Sequence, residues 1–261
     1  MLQPAKRSWF SVSPSALSGA APLRTCRSAF GPMCGAFAVT NFFYDLFILC
    51  GTYRNYRRCR MVKNVIFDLG GVVLEWNPDR ILAGYYADPE MRAIMKTALF
   101  LHPDWLELDR GTLSEADLLA RAAGRTGRPA AELNGLFDAV RESLHTKPDT
   151  VALLEKLSAR QVPLYCLSNI SSDMFAYLRA RHSFWGVFRG IVISGDIRMM
   201  KPEAQIFEFL LQRYGLVAAQ TAFVDDNAPN IEAARELGIH CVWFKNAQQC
   251  ELELEKLLVN D

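Results

Sequence analysis

An α/β architecture, a parallel sheet with helices on both faces, is predicted by three features of the sequence from residue 61 onward. Short runs rich in β-branched and aromatic residues alternate with longer stretches of helical periodicity. Those runs are apolar almost throughout, as strands buried on both faces are. One interval, 79–147, breaks the alternation with Leu- and Ala-rich amphipathic pattern and no strand.

Taken in order, strands are predicted at 62–67, 162–167, 190–194, 221–224 and 240–244, and helices at 150–160, 172–181, 204–214, 228–237 and 247–258. Gly215 and Gly238 stand where a helix ends on a left-handed residue. Within the interval, Asp88-Pro89, His102-Pro103, Gly111 and Gly127-Arg128-Pro129 mark the joins between about four helices. The organisation expected is a core from residues 61–78 and 148–261, an all-helical insertion over 79–147, and an N-terminal extension over 1–60.

That extension differs in composition from the rest. Of the 29 Lys and Arg residues it holds eight, and of the 28 acids only Asp45. The remaining chain carries 21 bases and 27 acids, a mildly acidic balance without the basic footprint of nucleic-acid binding. Residues 1–35, rich in Ser, Ala and Arg, resemble a transit peptide. The apolar run over 36–50 is interrupted by Asn41 and Asp45 and falls short of the roughly 20 residues a membrane span needs. A strand begins directly after Met61, so the expectation is that translation starts there and that no membrane is involved. The seven cysteines (Cys26, Cys34, Cys50, Cys59, Cys166, Cys241, Cys250) show no metal-ligand spacing, and their odd number suits a reducing, cytoplasmic setting.

In open parallel sheets ligands bind beyond the carboxyl ends of the strands. The polar residues there are Asp68, followed by Gly70 and Gly71, then Ser168 and Asn169, then Asp225 and Asp226, with Lys201-Pro202 just before a helix. This inventory suits phosphoryl transfer, which needs a nucleophile, a hard cation and donors for the phosphoryl oxygens. Carboxylates from two strands can share Mg²⁺, which takes oxygen ligands, and neighbouring Asp225 and Asp226 would repel each other without a cation.

The sequences VIFDLGGVV (65–73), CLSN (166–169), Lys201-Pro202 and FVDDN (223–227) resemble, in order, the four dispersed motifs of the haloacid-dehalogenase superfamily. The resemblance implies a Rossmann-like core with a helical cap inserted between the first and second motifs. WLELDRGTLSEADLL (105–119) is similar to cap sequence of the subgroup that includes an α-glucose-1-phosphate phosphatase and the N-terminal phosphatase domain of soluble epoxide hydrolase. It implies a Mg²⁺-dependent phosphatase acting on a small phosphorylated metabolite, sugar phosphates included. Asp68 would be the nucleophile and a metal ligand, with the Gly70 carbonyl and Asp226 completing the metal site and Asp225 as a further ligand or an outer partner. Ser168 and Asn169, by backbone or side chain, would hold phosphate oxygens, and Lys201 would neutralise the phosphoryl group and orient Asp68.

One position departs from the pattern. Most phosphatases of the superfamily carry a general acid two residues after the nucleophile, where this chain has Gly70. Such an acid is commonly worth about 10²–10⁴-fold. Water or Glu75 could replace it, the substrate could have a good leaving group, or turnover could be slow. Two other functions compete: a 2-haloacid dehalogenase, which needs no metal, and a degenerate binding module. His102, His145, His182 and His240 read as ordinary residues, and Trp76, Trp105, Trp185 and Trp243 as packing, with Trp105 the exception that could select substrate.

Overall fold

The computed structural model describes residues 62–258. Five parallel strands form one sheet: β1 (Asn64–Phe67), β2 (Leu164–Ser168), β3 (Phe188–Ile193), β4 (Thr221–Asp225) and β5 (His240–Trp243), in the spatial order β3-β2-β1-β4-β5. The central strands β2 and β4 are buried at every position, and β1 at all but Asn64.

Strand alternation assigns each side chain to one of two cores. Val65 and Phe67, Leu164 and Cys166, Ala222 and Val224 face one core, whereas Ile66, Tyr165, Leu167 and Phe223 face the other. The first core is covered by α6 (Pro148–Ala159), α7 (Ser172–Arg181) and α11 (Ala247–Leu257); the second by α9 (Ala204–Tyr214) and α10 (Ala228–Glu236).

Between β1 and α6 lie α1 (Pro78–Tyr85), α2 (Pro89–Met95), which runs into a π-helical turn (Lys96–Phe100), α3 (Pro103–Arg110), α4 (Glu115–Thr126) and α5 (Ala130–Ser143). Proline opens α1, α2 and α3, where its missing N–H has no helical partner to lose. Asn77, Asp88, His102 and Ser114 cap α1 to α4 through side-chain acceptors. Gly111 and Gly127 end α3 and α4 in the left-handed conformation. The joins fall where Pro and Gly placed them, but they delimit five α-helices rather than about four.

Most boundaries shift by one or two residues from the sequence pattern, and three of the shifts involve β1 and β3. Val62 bridges Leu258 outside β1, and β3 begins at Phe188. Ser194, expected to end that strand, instead opens a short helix, α8 (Ser194–Ile197), and its hydroxyl is drawn into contacts described below. The readings made for residues 1–60, including Cys26, Cys34, Cys50 and Cys59, lie outside the described residues. Cys166, Cys241 and Cys250 are free thiols. No described helix is long and apolar enough to cross a membrane.

Candidate active site

Asp68 follows β1 directly. Its backbone N–H donates to the Val224 carbonyl (3.0 Å), so the sheet ladder fixes the residue to the end of β4. Its Oδ1 accepts from the Leu69 N–H (2.7 Å) and lies 2.8 Å from Lys201 Nζ. Lys201, buried and joined to Pro202 by a cis peptide, also reaches Asp225 Oδ2 at 2.7 Å. Asp225 is fully buried and accepts from the Asn227 N–H (2.8 Å) and from Asn230 Nδ2 (3.2 and 3.0 Å).

One carboxylate oxygen each from Asp68, Asp225 and Asp226 lies within 4.8 Å of the others. Burial pushes Asp68 up to about 7, against the lowering pull of Lys201 and with a further push from Asp225. Burial and then Asp225 likewise raise Asp226. Lys201 is itself raised, because its two carboxylate partners outweigh its burial. Carboxylates that resist ionisation together are the donor set a hard dication would relieve, so the residues fit Mg²⁺.

Gly71 makes room for this cluster. It has φ +76°, and a Cβ there would stand 2.0 Å from Asp226 Oδ2. The Asp226 carbonyl accepts from the exposed Trp243 indole (2.9 Å), which ties the end of β4 to β5. This tie was missed because the residue's spacing shows only a strand position.

Asn169 is positioned differently from one of the two alternatives expected. Its side chain is committed to the backbone of Lys201, donating from Nδ2 to the Lys201 carbonyl and accepting at Oδ1 from the Lys201 N–H, each at 2.8 Å. Ser168, buried at the end of β2, lines the same cavity as Asp68, Gly70, Lys201 and Asp226. Asp225 spends both oxygens on Lys201, Asn227 and Asn230, which suits an outer partner better than a ligand. Glu75, one of the expected substitutes for the missing acid, is exposed and lines a different cleft.

The cavity above Asp68 measures about 430 Å³. Trp76, Phe100, Trp105 and Phe137 form an aromatic wall, with ring centroids 4.9 to 6.0 Å apart between Trp76 and Phe100, Trp76 and Trp105, Phe100 and Trp105, and Trp105 and Phe137. Trp76 therefore joins Trp105 at the cavity, contrary to its reading as simple packing. Leu101 and Leu106 line it too, and both are more than half exposed. Asp109 of α3 also faces the cavity. Sequence reasoning missed it, because nothing in helical spacing alone says that this carboxylate shares a cavity with residues 41 and 92 positions away. Trp185 packs on Phe184 and Phe175, His182 bonds the Leu144 carbonyl and His240 that of Ala219, all as expected of ordinary packing residues.

Comparison with known proteins agrees with this geometry. Residues 62–238 match the family described as haloacid dehalogenase-like hydrolase. A sesquiterpene phosphatase of Aspergillus oryzae is 28% identical over 200 residues, 77% of this chain and 98% of the relative. A D-ribitol-5-phosphate phosphatase of Bacteroides thetaiotaomicron is 25% identical over 216 residues, 76% of this chain and 99% of that one. Among solved structures, a haloacid-dehalogenase-family enzyme of Bacteroides thetaiotaomicron, in complex with magnesium and inorganic phosphate, superimposes with a TM-score of 0.56 at 22% identity, covering 70% of this chain and 94% of that one.

Proposed function

The chain belongs to the haloacid dehalogenase-like hydrolases and is a phosphatase; from that premise we propose that it is a Mg²⁺-dependent phosphomonoesterase that forms a phospho-aspartate on Asp68. The observation that carries the reading is the contact of Asp68 Oδ1 with Lys201 at 2.8 Å beside two further carboxylates within 4.8 Å. Leu69 and Lys201 fix the Asp68 carboxylate through Oδ1, so it would meet phosphorus in a set orientation.

Asp68, Asp226 and the Gly70 carbonyl would hold Mg²⁺, which supplies positive charge between an anionic nucleophile and an anionic substrate. Asp225 holds Lys201 in place, and Lys201 balances charge on the phosphoryl oxygens. Ser168 provides a hydroxyl donor at the same end of the cavity. Asn169 acts on the phosphate through Lys201, by fixing that residue's backbone.

The cavity favours a monophosphate with an apolar body. Most of its polar groups come from the loops around Asp68, Lys96 on the π-helical turn being paired with Asp79, while the body of the substrate meets Trp76, Phe100, Trp105, Phe137 and the two exposed leucines. A sugar phosphate, the class the sequence resemblance brings to mind, would leave several hydroxyls facing that wall without partners, at a cost of about 1–3 kcal/mol each. The name of the Aspergillus relative points to an apolar substrate as well. Phosphate release from decyl phosphate, farnesyl phosphate and a set of sugar phosphates, with Mg²⁺ and with chelator, tests the reading. The alkyl and prenyl esters should lead, chelator should stop them, and Asp68→Asn should be inactive. Phosphate release that survives chelator would refute the Mg²⁺ requirement, halide release from 2-haloacids without metal would assign the chain to dehalogenation, and sugar phosphates in the lead would refute the apolar body.

A further inference from the structure

We propose that Asp109, carried on the inserted helix α3, is the general acid and base that the position of Gly70 lacks. The inference rests on the phosphatase reading above and adds a catalytic residue to it. Asp109 lines the cavity that holds Asp68, Ser168 and Lys201, together with Trp105 and Trp76. Trp105 lies four residues earlier on α3, so both side chains leave the same face of the helix and enter the same cavity.

Three consecutive residues fasten this end of α3 to the loops that carry the site. The Ser194 hydroxyl donates to the Asp109 carbonyl (2.5 Å) and accepts from the N–H of Ile170 (2.8 Å), two residues after Ser168. Arg110 pairs through both terminal nitrogens with Glu203 (2.5 and 3.0 Å), two residues after Lys201. Gly111 packs so closely that a Cβ would stand 2.4 Å from the Gly195 carbonyl oxygen. A carboxyl group fixed this way has its position set by the same segments that position the phosphate. Burial first, opposed by the Trp105 indole, and then the charge of Asp68 push Asp109 upward, in the direction that favours its protonated form.

The step balances without another reactant. As an Asp68 carboxylate oxygen bonds to phosphorus, the bond from phosphorus to the ester oxygen breaks, its electron pair stays on that oxygen, and the Asp109 proton completes the alcohol. The Asp109 carboxylate then takes a proton from the water that attacks the phospho-aspartate. The bond from phosphorus to Asp68 breaks, releasing inorganic phosphate and restoring both carboxyl groups to their starting forms.

The test is the dependence of rate on leaving group for the full chain with Mg²⁺, using a series of aryl phosphates and decyl phosphate, with Asp109→Asn and Asp109→Glu. A positioned acid matters most for poor leaving groups. Asp109→Asn should therefore lower kcat/KM, which reports the step that expels the alcohol, about 10²-fold more on decyl phosphate than on p-nitrophenyl phosphate, and Asp109→Glu should restore part of the difference. Equal losses on all esters, or no loss, would overturn the proposal, as would an Asp109→Glu protein that is folded by circular dichroism yet no better than Asp109→Asn on decyl phosphate. If the wild type releases no phosphate from any ester, the phosphatase reading fails first.

Discussion

Asn169 and Lys201 hold each other by two hydrogen bonds of 2.8 Å, one in each direction between the Asn169 amide and the Lys201 backbone. The pair joins the loop after β2 to the loop before α9, and it sets where the Lys201 ammonium meets Asp68 and Asp225.

Loss of this clamp should reduce turnover without removing a group that touches substrate. Asn169→Ala is expected to lower kcat about 10-fold or more, the scale of losses when a supporting partner of a site is removed. Asn169→Asp keeps the acceptor and loses the donor, so it should remain impaired. Steady-state kinetics on the best substrate checks this; a wild-type kcat in both variants would show that the clamp positions nothing.

Lys201 should matter for stability as well as chemistry, because it is the ammonium paired with two buried carboxylates. Lys201→Met leaves Asp68 and Asp225 close together in a poorly hydrated site, and breaking a buried pair costs about 3–5 kcal/mol. Urea denaturation of Lys201→Met should show that loss, and it should shrink in Lys201→Met/Asp225→Asn, where one of the opposed charges is gone. A loss unchanged by the second substitution would contradict the assigned pairing.

Gly71 is the point at which backbone freedom serves the metal site. Alanine there meets Asp226 Oδ2 at 2.0 Å in a left-handed backbone conformation, so Gly71→Ala should displace Asp226 and weaken Mg²⁺ binding about 10-fold or more. Gly84→Ala on α1, where a Cβ meets nothing within 4 Å, should instead stabilise the fold by up to about 1 kcal/mol. Isothermal titration with Mg²⁺ separates the two. Unaltered Mg²⁺ affinity in Gly71→Ala would remove Asp226 from the ligand set.

The pH dependence follows from Asp68. Its folded-state carboxyl is raised, by burial chiefly, to about 7. The folded metal-free protein therefore binds this proton more tightly than the unfolded chain does. The resulting stabilisation is complete below the unfolded carboxyl range and is lost as pH rises toward 7. Mg²⁺ binds the ionised form, so it competes with that proton. The rise in melting temperature on adding Mg²⁺ should be larger at about pH 8 than at about pH 5.5. An equal rise at both would mean that the metal does not use Asp68.

Much of this site was legible before any coordinates because strand ends are local in sequence. Asp68, Ser168 and the pair Asp225 and Asp226 each follow an apolar run that can only be a strand, and a parallel sheet gathers its strand ends at one edge. Side-chain commitments were not legible. Nothing local shows that the Asn169 amide turns to the Lys201 backbone, or that Asp225 is consumed by Lys201 and Asn230. The inserted helices were readable one by one from Pro and Gly, but their face toward the sheet was not. For that reason Asp109 passed unnoticed, and Trp76, which precedes α1, was read as packing, although both line the cavity.

The central claim is a covalent phosphoryl group on Asp68. Acid quenching of wild-type protein during turnover of its best ester, followed by peptide mass spectrometry, should find the mass of one phosphoryl group on the peptide containing Asp68, absent from Asp68→Asn and from samples quenched without substrate. A peptide that stays unmodified throughout rapid turnover, or a label on any other residue, would contradict the account.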